Sequence, residues 1–183
     1  MFRDHLAPFW RGTTGTVLLA VIGTLLVALG AQLTIPAGAV PATMQTAAVF
    51  FVAASLGTDV GGLAATLYLL AAWLGAPVLA DFTHFGTTGL WNAKSAGYVI
   101  AFVPTSLALG HVAQCGWLRP AWRAFVAILI AHTLVLAVGW AWLARQIGTA
   151  NAWDHGVTPF WIGALVKSGL VTGGLVAMRA RRR

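Results

Sequence analysis

Six apolar runs, separated by short stretches rich in glycine, proline and polar residues, leave this chain little choice of solvent. A helix needs about 20 apolar residues, each rising about 1.5 Å, to cross roughly 30 Å of hydrocarbon. The candidate spans are residues 14–35, 43–56, 60–74, 95–112, 121–143 and 159–178. The second and third are short and meet at Leu56-Gly57-Thr58-Asp59, so they form either two spans or one long re-entrant hairpin. Gly57, Asp59 and Gly61 sit poorly in hydrocarbon as one continuous helix, which favours two. The expected fold is an all-α membrane protein, a bundle of six transmembrane helices forming a single domain over residues 1–183. Charged residues make up only 8% of the chain, against roughly 25% in soluble domains, so water cannot be the solvent for most of its surface.

The few charges give the expected orientation. Six spans place both termini on one side, which collects Arg3, Arg11, Arg119, Arg123, Arg179, Arg181, Arg182 and Arg183. The other side and the interior keep Lys94, Arg145 and Lys167. Lys and Arg accumulate on the cytoplasmic side of membrane proteins, so both termini are expected there. The net charge of +7 is thus a topology signal and not a nucleic-acid-binding groove. The first apolar run is too long for a signal-peptide core and reads as the first span. A lone cysteine, Cys115, excludes an intramolecular disulfide.

On this topology residues 36–42, 76–94 and 146–158 face outward, carrying the Gly, Pro, Trp, Asn, His and Asp of turns and ligand contacts. Lys167 is the most informative residue. It lies eight residues into the last span from Pro159, about 12 Å below the outer end, too deep for one side chain to snorkel out. A lysine there costs about 2.5–3.5 kcal/mol on insertion, so a ligand oxygen, a broken-helix carbonyl or a water-filled cavity must compensate it. Trp91, Asn92, Lys94 and Tyr98 cluster before and in the fourth span. They suit either a ligand with a flat polar ring and a carboxylate or an interfacial aromatic belt. His84, Phe85, Trp153 and His155 stand in the outer loops, each either a lid residue or an interfacial one. His132, mid-span, reads as a packed histidine bonded to a helix carbonyl.

Other chemistry lacks raw material. Glu is absent, and Asp4, Asp59, Asp81 and Asp154 all fall in predicted loops or at ends, so paired-carboxylate hydrolysis is not provided for. The histidines offer no i, i+4 pair and there is no cysteine cluster, so no metal or other cofactor is expected; without a Walker A sequence, ATP hydrolysis must reside elsewhere. In the first span Gly12, Thr16, Ala20, Thr24 and Ala28 recur every four residues. Such a stripe lets a second helix approach closely, serving either internal packing or the docking of a partner at Ala20, Thr24 and Ala28. Gly169, Gly173 and Gly174 make a second small face on the last span.

The segment Ile35-Pro36 followed by Val40-Pro41-Ala42-Thr43-Met44-Gln45-Thr46 resembles the IP…PVPxTxQT signature of the BioY family, biotin-binding S components of energy-coupling factor (ECF) transporters. The resemblance continues through Leu56-Gly57, Gly61-Gly62-Leu63, Leu67-Tyr68-Leu69, Gly75-Ala76-Pro77-Val78, Gly97-Tyr98 and Pro159-Phe160 with Gly163 and Lys167, covering nearly the whole chain. It implies a six-helix subunit of the bacterial inner (plasma) membrane that binds biotin from outside. It would work with a transmembrane T component and ATP-binding cassette ATPases, and would not itself be an enzyme. The same resemblance carries over Gln45, Tyr98 and Lys167 as ligand contacts and Thr43 as a wall residue; Tyr68 joins the expected substrate site. The chain departs from the family's GPTGGY at Ala93-Lys94-Ser95-Ala96-Gly97-Tyr98 and from its PFxPGDxxK at Pro159 to Lys167, where Ala164 replaces the acid. Asp81 or Asp154 folding inward, Lys94 taking part of the ligand, or a shifted specificity would each answer that loss. The competing functions are a membrane enzyme using His132, His84 or His155, and a purely structural assembly subunit.

Overall fold

Each apolar run folds as a helix that stops where glycine, proline or a polar turn stops it. The computed structural model describes residues 7–35 and 39–181, the Arg11 side chain excepted. Arg3, Asp4, Pro36, Arg182 and Arg183, which entered the sequence argument, lie outside the described residues. The helices are α1 (Pro8–Arg11), α2 (Thr13–Gln32), α3 (Gln45–Leu56), α4 (Thr58–Trp73), α5 (Gly86–Gly89), α6 (Ala96–Gln114), α7 (Ala121–Ile147), α8 (Thr149–Gly156) and α9 (Phe160–Ala180). A two-stranded antiparallel ribbon, β1 (Thr34–Ile35) and β2 (Ala42–Thr43), links α2 to α3, with Thr34 opposite Thr43 and Ile35 opposite Ala42.

Four of these, α2, α6, α7 and α9, are long and apolar enough to cross a membrane. The remaining two expected spans are shorter: α3 has 12 residues and α4 has 16, about 18 and 24 Å by helical rise. Gly57, with φ 92°, turns the chain between them, so the pair is two helices and not one. The shortness of α3 follows from its position. It touches α2, α4, α6, α7 and α9, and Ala47, Val49, Phe50, Val52, Ala53 and Ala54 are all buried. A helix wrapped by longer neighbours meets protein at its ends instead of lipid, and the space beyond its N-terminus belongs to the bundle.

The two ends of the bundle differ in chemistry. At one, Arg179 on α9 donates from Nη1 to the carbonyls of Leu118 and Arg119 in the α6–α7 turn, each at 2.9 Å, while Thr58 Oγ1 donates to Gln114 Oε1 at 2.7 Å. At the other lie the β-ribbon, residues 74–95 and α8. Residues 74–95 are strapped down by Gln32 at the end of α2, which donates from Nε2 to Leu79 O at 2.9 Å and accepts from Phe82 N–H at 3.1 Å.

Within the small-residue stripe on α2, Ala20 is buried and Thr24 and Ala28 are half-buried, all three in contacts inside the bundle that fit the internal-packing alternative. Ala20 has 0% exposure and packs with Val52, Val60 and Ala64; Thr24 Oγ1 donates to Ala20 O at 2.9 Å and across to Ala64 O at 3.0 Å; Ala28 packs against the main core. A close helix pair in lipid is held by small residues and such cross-helix hydrogen bonds. The outward face of α2 is instead Val21, Ile22, Leu25 and Leu29.

Candidate ligand-binding site

Above the N-terminus of the short α3, at the end opposite Arg179, the bundle forms a cavity of about 210 Å³. Its walls come from every part of the chain that the local sequence delivers there. The ribbon supplies Pro41 and Thr43; α3 supplies Gln45 and Thr46; the strap supplies Asp81; α6 supplies Tyr98 and Phe102; α9 supplies Lys167. The N-terminus of α3 borders this space: Gln45 and Thr46 of its first turn line it, the N-cap residue Met44 makes no side-chain cap, and the Gln45 N–H donates to Thr43 Oγ1 at 3.3 Å. The helix N-terminus together with Lys167 makes the site favourable for an anionic group.

The polar groups are held in place. Thr43 Oγ1 donates to Gln45 Oε1 at 2.8 Å, and Gln45 Nε2 donates to the Tyr68 hydroxyl, which in turn donates to Val78 O at 2.8 Å. Tyr68 is fully buried and stacks obliquely on Phe102, 6.4 Å between centroids. One N–H and one lone pair of the Gln45 amide remain for a ligand. Tyr98 forms a second wall, its hydroxyl donating to Gly156 O at 2.9 Å and its ring 6.3 Å from Phe160. The ring lies where α7 has no side chain: a Cβ on Gly139 would stand 2.2 Å from it, and one on Gly156 2.5 Å from its hydroxyl.

Below the cavity His132 is buried, 3% exposed, edge-on to Phe50 at 4.7 Å. Its Nδ1 lies 3.1 Å from both Ile128 O and Ser168 Oγ, and its Nε2 lies 3.2 Å from Thr46 Oγ1. The carbonyl-bonded histidine expected from the sequence is present, with two hydroxyl partners that the sequence could not show.

Of the expected ligand residues, Thr43, Gln45, Tyr98 and Lys167 line the cavity, and Tyr68 stands behind Gln45. Trp91, Asn92 and Lys94 do not line it: all three are exposed. Trp91 leans on Trp142, 5.9 Å away, and Arg145 covers the same indole at 4.5 Å, an arrangement typical of an aromatic interface. A four-residue stretch from Trp91 to Lys94 is too irregular to carry helical direction, so sequence distance from Tyr98 misplaced these side chains. Among the compensations for Ala164, which is itself buried, Asp154 is exposed outside the cavity and Lys94 is likewise outside, whereas Asp81 does line it. Asp81 and Phe82 are successive non-glycine residues at positive φ, 53° and 56°, held so by the Gln32 clamp. Such strained backbone concentrates at functional sites. His84, Trp153 and His155 are exposed; Phe85 is part of the core. Among the described residues, no group of three or more His, Cys, Asp or Glu side chains is arranged to hold a metal.

Membrane-length apolar helices around a mainly apolar cavity that carries a few polar groups near one end define a multi-pass membrane protein. The chain belongs to the BioY family, which it matches over residues 5–183. It is 33% identical over 176 residues to biotin transporter BioY2 of Lactococcus lactis subsp. cremoris, covering 90% of this chain and 91% of that protein. To the probable biotin transporter BioY of Pyrococcus horikoshii it is 31% identical over 163 residues, covering 89% and 94%. A crystal structure of the S-component for biotin from an ECF-type ABC transporter superposes with a TM-score of 0.80 at 21% identity, covering 97% of this chain and 95% of that one, which shows the fold.

Proposed function

We propose that this chain is the biotin-capturing S component of an ECF importer. The observation that carries the reading is the placement of Lys167: a cation one-third of the way down an apolar helix opens onto a cavity shared with Gln45, Thr43 and Tyr98, in a chain whose relatives are named biotin transporters. Biotin brings a carboxylate for a cation or helix N-terminus, and a ureido ring whose C=O and N–H groups suit the amide of Gln45 and the hydroxyls around it. Thr43, Gln45, Tyr98 and Lys167 are the ligand contacts in this reading, with Tyr68 holding Gln45. The relatives and the structural neighbour are transporters or transporter components, which supports uptake and not catalysis.

The finer topology belongs to the same proposal. All six of α2, α3, α4, α6, α7 and α9 count as transmembrane segments of one domain, α3 and α4 completed by their flanking loops. The arginine-rich end, with both termini, is cytoplasmic in a bacterial inner membrane, and a T component with ATP-binding cassette ATPases supplies the energy. Cys115, the lone cysteine and exposed, stands near the arginine-rich end, so a membrane-impermeant thiol reagent should label intact cells only after permeabilisation. A second reading, an S component for another carboxylated vitamin or biotin relative, is favoured by Ala164, which stands where the PFxPGDxxK pattern that residues 159–167 resemble has its acid.

A thermal-shift screen of the purified protein against vitamins tests the choice. A ligand at 100 times its Kd adds about 2.7 kcal/mol to the folded state. Biotin should raise the melting temperature more than any other vitamin; a larger shift from a different carboxylated compound would transfer the assignment to it, and no shift from any would end the capture reading.

A further inference from the structure

The wall beneath the cavity contains a hydroxyl suited to accept from a ligand N–H. Thr46 lines the cavity, and its hydroxyl is 3.2 Å from His132 Nε2. A hydroxyl normally rotates to donate or accept as its neighbour requires. Here the histidine removes that freedom, and the reason lies on its far side. Nδ1 is 3.1 Å from the carbonyl of Ile128, which can only accept, so Nδ1 carries the hydrogen. Ser168 Oγ, also 3.1 Å from Nδ1, takes a share of the same N–H. In the neutral imidazole Nε2 is then a bare lone pair, and the Thr46 hydroxyl must donate to it. What Thr46 keeps for the cavity is lone pairs alone.

We propose that His132 is a positioning residue that fixes Thr46 as a hydrogen-bond acceptor in the cavity wall, selecting a ligand that presents an N–H there. Three helices enter this device: Thr46 from α3, His132 and Ile128 from α7, and Ser168 from α9, next in sequence to Lys167. The inference rests on the biotin reading above, and the N–H it assigns is one of the ureido pair. It also gives this chain a way to recognise a ureido ring without a carboxylate at position 164.

Isothermal titration of biotin into the purified full chain tests it, using His132→Leu, Thr46→Val, the double variant and His132→Gln, whose side-chain oxygen can replace Nε2 as acceptor. Each of the first two should weaken binding about 10-fold, as expected for one hydrogen bond to a neutral group. The double variant should be no worse than about 10-fold, because both changes remove the same interaction. His132→Gln should recover binding to within about threefold of the native protein. Should His132→Leu fail to fold, Thr46→Val against Thr46→Ser, with His132→Gln, carries the comparison, the serine keeping affinity and the valine losing it. Unchanged affinity in His132→Leu or Thr46→Val, or losses that multiply to about 100-fold, would overturn the proposal while leaving biotin capture standing. A native protein that binds no biotin would overturn both.

Discussion

Replacing Gly139 with alanine sets two opposing effects against each other, and the structure decides between them. In a helix interior alanine is favoured over glycine by about 0.8–1.0 kcal/mol. The added methyl, however, would stand 2.2 Å from Cδ1 and Cε1 of Tyr98 and 2.4 Å from its Cγ, where carbon atoms need about 3.5–4.0 Å. Tyr98 cannot retreat along its own axis, because its hydroxyl is bonded to Gly156 O at 2.9 Å and a close approach there is already in use. The ring must swing toward the cavity it lines. Overpacking of this kind costs about 1–3 kcal/mol and the lost hydroxyl bond about 1 kcal/mol, so the net change is destabilising by about 1–3 kcal/mol. Biotin affinity should fall at least 10-fold as the ring takes ligand space. Gly173→Ala on α9, where a Cβ meets nothing within 4 Å, is the control and should leave both quantities unchanged or slightly improved. Thermal unfolding in detergent and biotin titration read the two effects. A Gly139→Ala protein as stable and as tight-binding as the native one would refute the packing argument.

Tyr68→Phe removes the hydroxyl that joins Gln45 to Val78 O, leaving the buried Gln45 amide and the half-buried Val78 carbonyl short of a partner; it should lower stability by about 1–3 kcal/mol and weaken biotin binding, both measurable by thermal shift with and without ligand. Lys94→Ala should leave biotin affinity within about twofold in a titration, since this exposed lysine does not line the cavity. Ala20→Leu should destabilise the protein by about 1–3 kcal/mol in thermal unfolding, because the stripe is packed against α3 and α4 with no room left; unchanged stability with lost transport would restore it as a docking face.

The helices were legible because lipid demands long apolar runs, and each expected run does fold as a helix. Their spanning roles were less so. Hydropathy sees α3 as a short span, but its length is set by being surrounded, a tertiary fact with no local signal. Lys167 announced itself because a charge in an apolar run has few explanations. Gln45, Thr43 and Tyr98 came from resemblance to a known signature, and their convergence on one cavity could not be read from spacing. Asp81 is one of the two acids expected to be able to fold inward, whereas Thr46 and Gln32 carry no such signal. Nothing near Gln32 marks it as the clamp of a strap some 50 residues away, and Thr46 acquires its chemistry from His132, 86 residues on. The small-residue stripe of α2 shows the opposite limit: a periodicity can signal a close helix contact without saying whose helix it meets.

On the proposed function, Lys167 compensates its burial by serving a solute in the cavity. Calorimetric titration of biotin into the native protein and into Lys167→Ala tests it most directly. The native protein should bind saturably and the variant about 10- to 100-fold more weakly, the worth of a charge-assisted hydrogen bond. Equal affinities in the two proteins would contradict it.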